Sequence, residues 1–198
     1  MQPTPYGSSR STSYADRLRG ALMLDPGAYR EVERDTKANG QAALTVVLAA
    51  LAAGIGAIVG QDWLRETIGV VLSSVLQWIV FSFVAYYVGA SLFSTGQTSV
   101  TPGQVLRTIG FAQAPKLFLV LGIIPLLGWI AGLVVFFWFL AAAIMALREA
   151  FEFDTGRAIG TGLVALIGIV IVDVVLGIVF GISSALFGGL SSVFRAPI

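Results

Sequence analysis

The chain of 198 residues contains no cysteine and no histidine. The first absence excludes disulfides and thiol chemistry. The second removes the imidazole base, haem-type histidine ligation and the usual zinc sets, so neither a Ser-His nor a Cys-His nucleophile can be assembled. Charge is also scarce: only 12% of residues are Asp, Glu, Lys or Arg, and the formal net charge is +1. There is no basic block beyond the N-terminal segment and no phosphate-cradling glycine loop, so neither nucleic acid nor a nucleotide is an expected partner. What fills the chain instead is apolar. Hydrophobic residues make up 57% of it, and several runs exceed the roughly 20 residues needed to cross a bilayer. The expected fold class is all-α, a polytopic transmembrane helix bundle forming one domain.

Residues 1–12 are rich in Ser, Pro and Gly and read as a disordered tail, without the apolar stretch of a signal peptide. Residues 13–40 read as a cytoplasmic or interfacial helical arm. Tyr14, Leu18, Leu22 and Met23 recur at helical spacing, and Asp25-Pro26 then opens a charged helix that runs to Lys37 and ends at Asn39-Gly40. Such an arm can lie in the headgroup layer or stand in solvent as a short helix. The transmembrane domain is expected over 41–190, with spans at 41–59, 67–93, 104–124, 127–147 and 159–187, and a C-terminal tail over 191–198. Leu117 to Leu147 is 31 residues without a charge, roughly 46 Å as one helix against a hydrocarbon core of about 30 Å. Pro125, between Gly122 and Gly128, is where it should break. Thr101-Pro102-Gly103-Gln104 has the form of a capping box that starts the third span. Five spans with the N-terminus in the cytoplasm put nine Lys and Arg residues inside and only Arg65 and Arg195 outside, with Lys116 left within the membrane. Trp63 and Trp129 then fall near the outer interface.

The intramembrane polar groups are few. Asp173 has nine apolar or glycine residues on each side, and a charge at such a position is paired, neutralised or functional. Lys116 is expected at a similar depth on the third span, so three readings stay open: a Lys116–Asp173 pair, a protonated Asp173 with Lys116 snorkelling outward, or a path for ions or protons. Gln113 and Gln77 complete the candidate polar site. Gly177 and Gly181 continue a stripe of small residues on the fifth span, suited to packing within the bundle or to a homo-oligomeric contact, and Ala49, Ala52, Ala53 and Gly56 form another on the first. The first and fifth spans are expected to pack within the bundle. With Asp173 the one carboxylate inside a span, no aspartyl dyad is available, and Glu149, Glu152 and Asp154 share their loop with Arg148 and Arg157. No catalytic residue, metal site or cofactor is assigned.

Within the third span, Gly110-Phe111-Ala112-Gln113-Ala114-Pro115 resembles the Gly-aromatic-x-x-x-Pro motif of Yip1-type membrane proteins. The order of the surrounding features is similar to that family as well: a Leu-Asp-Pro-x-x-Tyr segment at Leu24 to Tyr29 before the first span, and Ala-Leu-Arg-Glu at Ala146 to Glu149 closing the fourth. The likeness covers roughly Arg17 to Phe187. Phe111 stands where the family more often has Tyr, and the acidic Asp-Leu-Tyr-Gly-Pro motif of eukaryotic members has no match. The resemblance implies a non-enzymatic integral membrane protein. Its eukaryotic relatives bind Rab-type GTPases and shape early secretory membranes, whereas the prokaryotic relatives, which this chain looks like, have no agreed activity. The expectation is a multi-pass scaffold or adaptor of a prokaryotic cytoplasmic membrane, in contact with the lipid bilayer and with a protein partner on the cytoplasmic side. The alternative is a small ion- or proton-linked transporter or channel using Asp173 and the polar third span.

Overall fold

The computed structural model describes residues 13–57, 63–93, 99–171, 174 and 178. Among them the chain is all-α. Two short helices, α1 (Tyr14–Leu22) and α2 (Pro26–Arg34), precede α3 (Ala38–Gly56), α4 (Trp63–Val88) and α5 (Pro102–Ala112). A 3-10 segment (Ala114–Ile123) continues α5, and α6 (Pro125–Phe151) follows, then α7 (Thr155–Ile171). Four helical stretches are long and apolar enough to cross a membrane: Ala38–Gly56, Thr67–Phe93, Pro102–Ile123 and Leu126–Phe151, with Thr155–Ile171 a shorter apolar one.

Local chemistry explains most boundaries. Ser13 and Asp16 form a capping box on α1, and Thr101 and Gln104 form one on α5, each satisfying backbone donors that the first turn leaves unpaired. The Asp25 carboxylate accepts from the Gly27 amide at 2.9 Å, with Pro26 in the first turn. Leu24, in the link between α1 and α2, takes a left-handed conformation with φ 57°. The long apolar run breaks at Ile124, which is extended at φ −104° and ψ 109°, because the following Pro125 disfavours the helical region there.

Two boundaries differ from the sequence expectation. The charged helix ends at Arg34 and does not reach Lys37. Asp35 is extended, and its carboxylate accepts from the Lys37 amide at 2.9 Å, a local side-chain bond that competes with the next helical turn. Asn39 and Gly40 consequently lie inside the first turn of α3. The third span is also not one α-helix. Pro115 has no amide to donate and disfavours α geometry just before it, so beyond Gln113 the backbone winds as a 3-10 helix for ten residues. The two parts together reach roughly 36 Å, at 1.5 Å and 2.0 Å of rise per residue.

The arm packs against the bundle. Ala21, Tyr29 and Val32 from α1 and α2 share one buried cluster with Val105, Ile109 and Phe111 of α5 and with Ala146, Leu147 and Phe151 of α6. The Trp138 indole N–H donates to the Leu22 carbonyl at 2.9 Å, tying the end of α1 to the middle of α6. The half of α6 beyond Trp138 is thus enclosed by protein, while Leu126, Trp129, Leu133 and Phe137 on the other half are exposed, as residues facing lipid are.

Of the small-residue stripe on the fifth span only Thr161, Ala165 and Ile169 lie within the described residues, and Ile169 lines one cavity together with Ala49 and Ala53 of the first stripe. Gly56 lies against the 3-10 segment, where an added Cβ would run into the Leu119 carbonyl and the Gly122 backbone, and Gly54 faces Thr67 of α4. In the described part of α7, Gly162 faces Leu147 and Gly168 faces Val84. Asp173, Gly177 and Gly181 lie outside the described residues, as do the N-terminal and C-terminal tails.

Candidate functional site

Two arginines organise the arm end. Arg17, 4% exposed, links three helices: its Nε donates to Glu31 Oε1 at 3.0 Å, Nη1 to Gln41 Oε1 at 2.8 Å and Nη2 to Asp35 Oδ2 at 2.7 Å. The guanidinium fork suits this arrangement, since its donors point in fixed directions to separate acceptors. The same contact holds the Asp35 carboxyl below the usual carboxylate range, helped by the Lys37 amide. Arg107, 5% exposed, projects from α5 to the end of α2. Its Nε donates to the Val32 carbonyl at 3.1 Å, Nη2 to the Glu33 carbonyl and Nη1 to Asn39 Oδ1 at 3.1 Å. These carbonyls belong to the last turn of α2, which lacks intrahelical donors and carries the negative end of the helix dipole. Beside them the Glu33 carboxylate accepts from Gln104 Nε2 at 2.6 Å. Burial nonetheless raises the Glu33 pKa, the Gln104 bond offsetting only part of the effect.

The Gly110-Phe111-Pro115 motif lies one turn further along α5, on the face that carries Arg107. Gly110 sits where three helices converge: an added Cβ would be 2.7 Å from the Ala42 Cβ of α3 and 3.2 Å from the Trp78 indole nitrogen of α4. That nitrogen donates to the Leu106 carbonyl at 2.9 Å. Phe111 is fully buried and packs against Tyr14 of α1, with ring centroids 6.1 Å apart. Tyr14 in turn shares a hydrogen bond with Thr45 of α3 at 3.2 Å. Pro115 is buried at the change from α to 3-10 geometry. The Leu24-Asp25-Pro26 and Ala146-to-Glu149 segments also serve this end. Asp25 caps α2 so that Tyr29 enters the core, and buried Glu149 meets Arg30 at 3.4 Å and Arg148 at 3.3 Å.

Past the motif lies a cavity of about 440 Å³. Gln77 and Ser74 of α4, and Gln113 and Lys116 of the third span, all line it, together with Trp78, Phe139 of α6 and Ile169 of α7. Three of the four candidate polar residues therefore share one space, while Asp173 is outside the described residues. The Lys116 ammonium lies over the Phe139 ring, 3.9 Å from its centroid, within cation–π range. A second hollow of about 770 Å³ adjoins the first, sharing Ala53 and Leu119, and has no charged lining residue.

The arginine clamps were not legible as sites in the sequence, where Arg17 and Arg107 count only as positive charges near helix ends. One signal was available: Arg107, Gly110, Phe111 and Ala114 follow i, i+3, i+4, i+7 spacing and so occupy one helical face. Trp78 is 5% exposed and bonds to the α5 backbone. No group of Asp or Glu residues able to hold a metal ion occurs among the described residues.

Comparison with known proteins finds that the family model described as Yip1 domain matches residues 20–177. No curated protein and no solved structure matches the chain. The matched segment contains Gly110, Phe111 and Pro115, the Arg107 clamp and the cavity, while Arg17 lies just before it.

Proposed function

The chain belongs to the Yip1 domain family, and from that premise we propose that it is a non-enzymatic membrane scaffold that presents its arm to a protein partner on the cytoplasmic side. Membership and the apolar helices make it an integral, multi-pass membrane protein in contact with lipid. The observation that carries the scaffold reading is the pair of buried arginines. Arg17 and Arg107 fix α1 and α2 to the bundle, so the exposed Asp16, Arg19, Arg34 and Lys37 form a preformed polar surface. A preformed surface loses little entropy when a partner binds.

In this reading five spans cross a prokaryotic cytoplasmic membrane with the N-terminus inside, as the distribution of Lys and Arg favours. The absence of cysteine makes the topology simple to test by single-cysteine labelling in intact cells. Gln61→Cys should react with an impermeant maleimide, and Thr36→Cys and Asp154→Cys should react only after the membrane is opened. For the partner, a photocrosslinking side chain at Arg34 or Arg157 should give a discrete protein adduct that charge reversal of the exposed Arg19 and Lys37 weakens. Crosslinks to lipid alone from both positions would end the scaffold reading.

A further inference from the structure

We propose that the two adjoining hollows form one slot that binds an acyl lipid with an anionic head, the head at Lys116 and the chain along α6. This goes beyond the scaffold reading and rests only on the bundle standing in a membrane. The first hollow brings a cation and two side-chain amides, Lys116, Gln113 and Gln77, into one lining. These groups offer N–H donors to a carboxylate or phosphate. Of the acceptors that could meet them, a lipid head is the one that arrives from the bilayer attached to an apolar chain.

The second hollow supplies what an acyl chain requires. Its lining includes Gly56, Gly122, Gly128, Gly132 and Phe136 and no charged residue. It also opens beside Trp129, Ile123 and Leu133, all more than half exposed, so a chain can enter from the bilayer. Ala53 and Leu119 line both hollows, which makes the polar end and the apolar groove continuous. Both volumes fall within the range of roughly 300–1,000 Å³ in which small-molecule sites are found. Gly132 is the informative glycine, because nothing lies within 4 Å of a Cβ placed on it. Unlike Gly56, it is not needed for backbone contact, and its missing side chain leaves the groove open.

The test uses the full chain in phosphatidylcholine nanodiscs doped with photoactivatable, alkyne-bearing palmitate, phosphatidylglycerol or phosphatidylcholine. Adducts are mapped by mass spectrometry. The anionic probes should label peptides containing Ala53 and Gly132–Phe136 in preference to the neutral one, and whichever of the two labels identifies carboxylate or phosphate as the head. Gly132→Phe should reduce this labelling on the order of tenfold, as should Lys116→Met, which removes a charge-assisted contact. Lys116→Arg should retain it. Gln113→Leu stands in for Lys116→Met should that variant fail to accumulate. Equal labelling by the neutral probe, or labelling indifferent to Gly132→Phe, would overturn the proposal. So would an unlabelled groove whose filling changes the oligomeric mass, since that result assigns the groove to a second copy of the chain.

Discussion

The arm end and the far end of this bundle contain similar apolar sequence but are held together in different ways. At the arm end, α1 and α2 enclose the last half of α6 and the first half of the third span, and the core includes Arg17, Arg107, Thr108 and Glu149 among its buried residues. Every polar side-chain atom buried there has a partner; the one buried orphan among the described residues is the Thr161 hydroxyl of α7. At the far end the helices touch through glycine, with Gly56, Gly122 and Gly128 backbone to backbone, and large apolar side chains point outward. The difference follows from the surrounding medium. Lipid is as apolar as leucine, so side chains at the far end gain little from burial, and close backbone approach provides the contact instead. The arm end has to be specified by directional bonds, and these fix one geometry.

The largest way to break this contrast is to remove the Arg107 clamp. Arg107→Ala should destabilise the protein by about 3 kcal/mol, since buried carbonyls left without donors cost roughly 1–3 kcal/mol each. Arg107→Lys should restore little, because an ammonium cannot span the Val32 carbonyl, the Glu33 carbonyl and Asn39 as a fork does. Thermal unfolding in nanodiscs reads both, and limited proteolysis at Lys37 should show the arm released. An Arg107→Ala protein with an unchanged melting temperature would remove the clamp from the account.

The next comparison sets two glycines against each other. Gly110→Ala puts a Cβ against Ala42 and Trp78 and should cost about 1–3 kcal/mol, the usual range for overpacking. Gly132→Ala, which meets open space, should be neutral or slightly stabilising, as a helical Gly→Ala change gains up to about 1 kcal/mol. Equal effects at the two sites would mean that the ends are packed alike.

Acid should act on the arm with two signs. The Asp35 pKa is lowered in the folded protein, so its contribution is present above the unfolded value of about 3.9 and is lost as pH falls through the folded value. The Glu33 pKa is raised, so protonating it as pH falls relieves a cost, and that gain is complete below the unfolded value of about 4.3. Resistance of the arm to proteolysis should therefore rise as pH falls from neutral and decline below about 4. Glu33→Gln should abolish the rise and leave the decline.

The smallest effect is expected at Glu152, the left-handed residue that ends α6 with φ 54°. Glu152→Gly should raise stability by about 1 kcal/mol or less, because glycine adopts that conformation without strain. A fall in melting temperature would show that the Glu152 side chain contributes more than its backbone costs.

Much of this molecule is legible in the order of its residues. The capping boxes at Ser13–Asp16 and Thr101–Gln104 and the Asp25-Pro26 start are local, each requiring only residues within one turn. The break before Pro125 follows from the ring of one residue. The end of α2 was misjudged because helical periodicity continued past Arg34, whereas the Asp35 carboxylate had a closer use for the Lys37 amide. The 3-10 winding after Gln113 was signalled by Pro115, but its ten-residue length was not. Of the candidate polar site, Lys116, Gln113 and Gln77 were marked as polar residues inside spans, which identifies them as costly without saying what they face. That the three line one cavity depends on how α4 and the third span are rotated about their axes.

What the sequence by itself determined is the class: an all-α membrane protein, its apolar stretches, their caps and breaks, and its family. Those properties arise from hydrophobicity and from backbone chemistry acting within a few residues. What only the tertiary structure decided is where the scarce charges go. Arg107 reaches across 75 residues to Val32, and Trp138 across 116 to Leu22. In a low-dielectric core each donor bonds whichever acceptor the packing of distant helices brings to it.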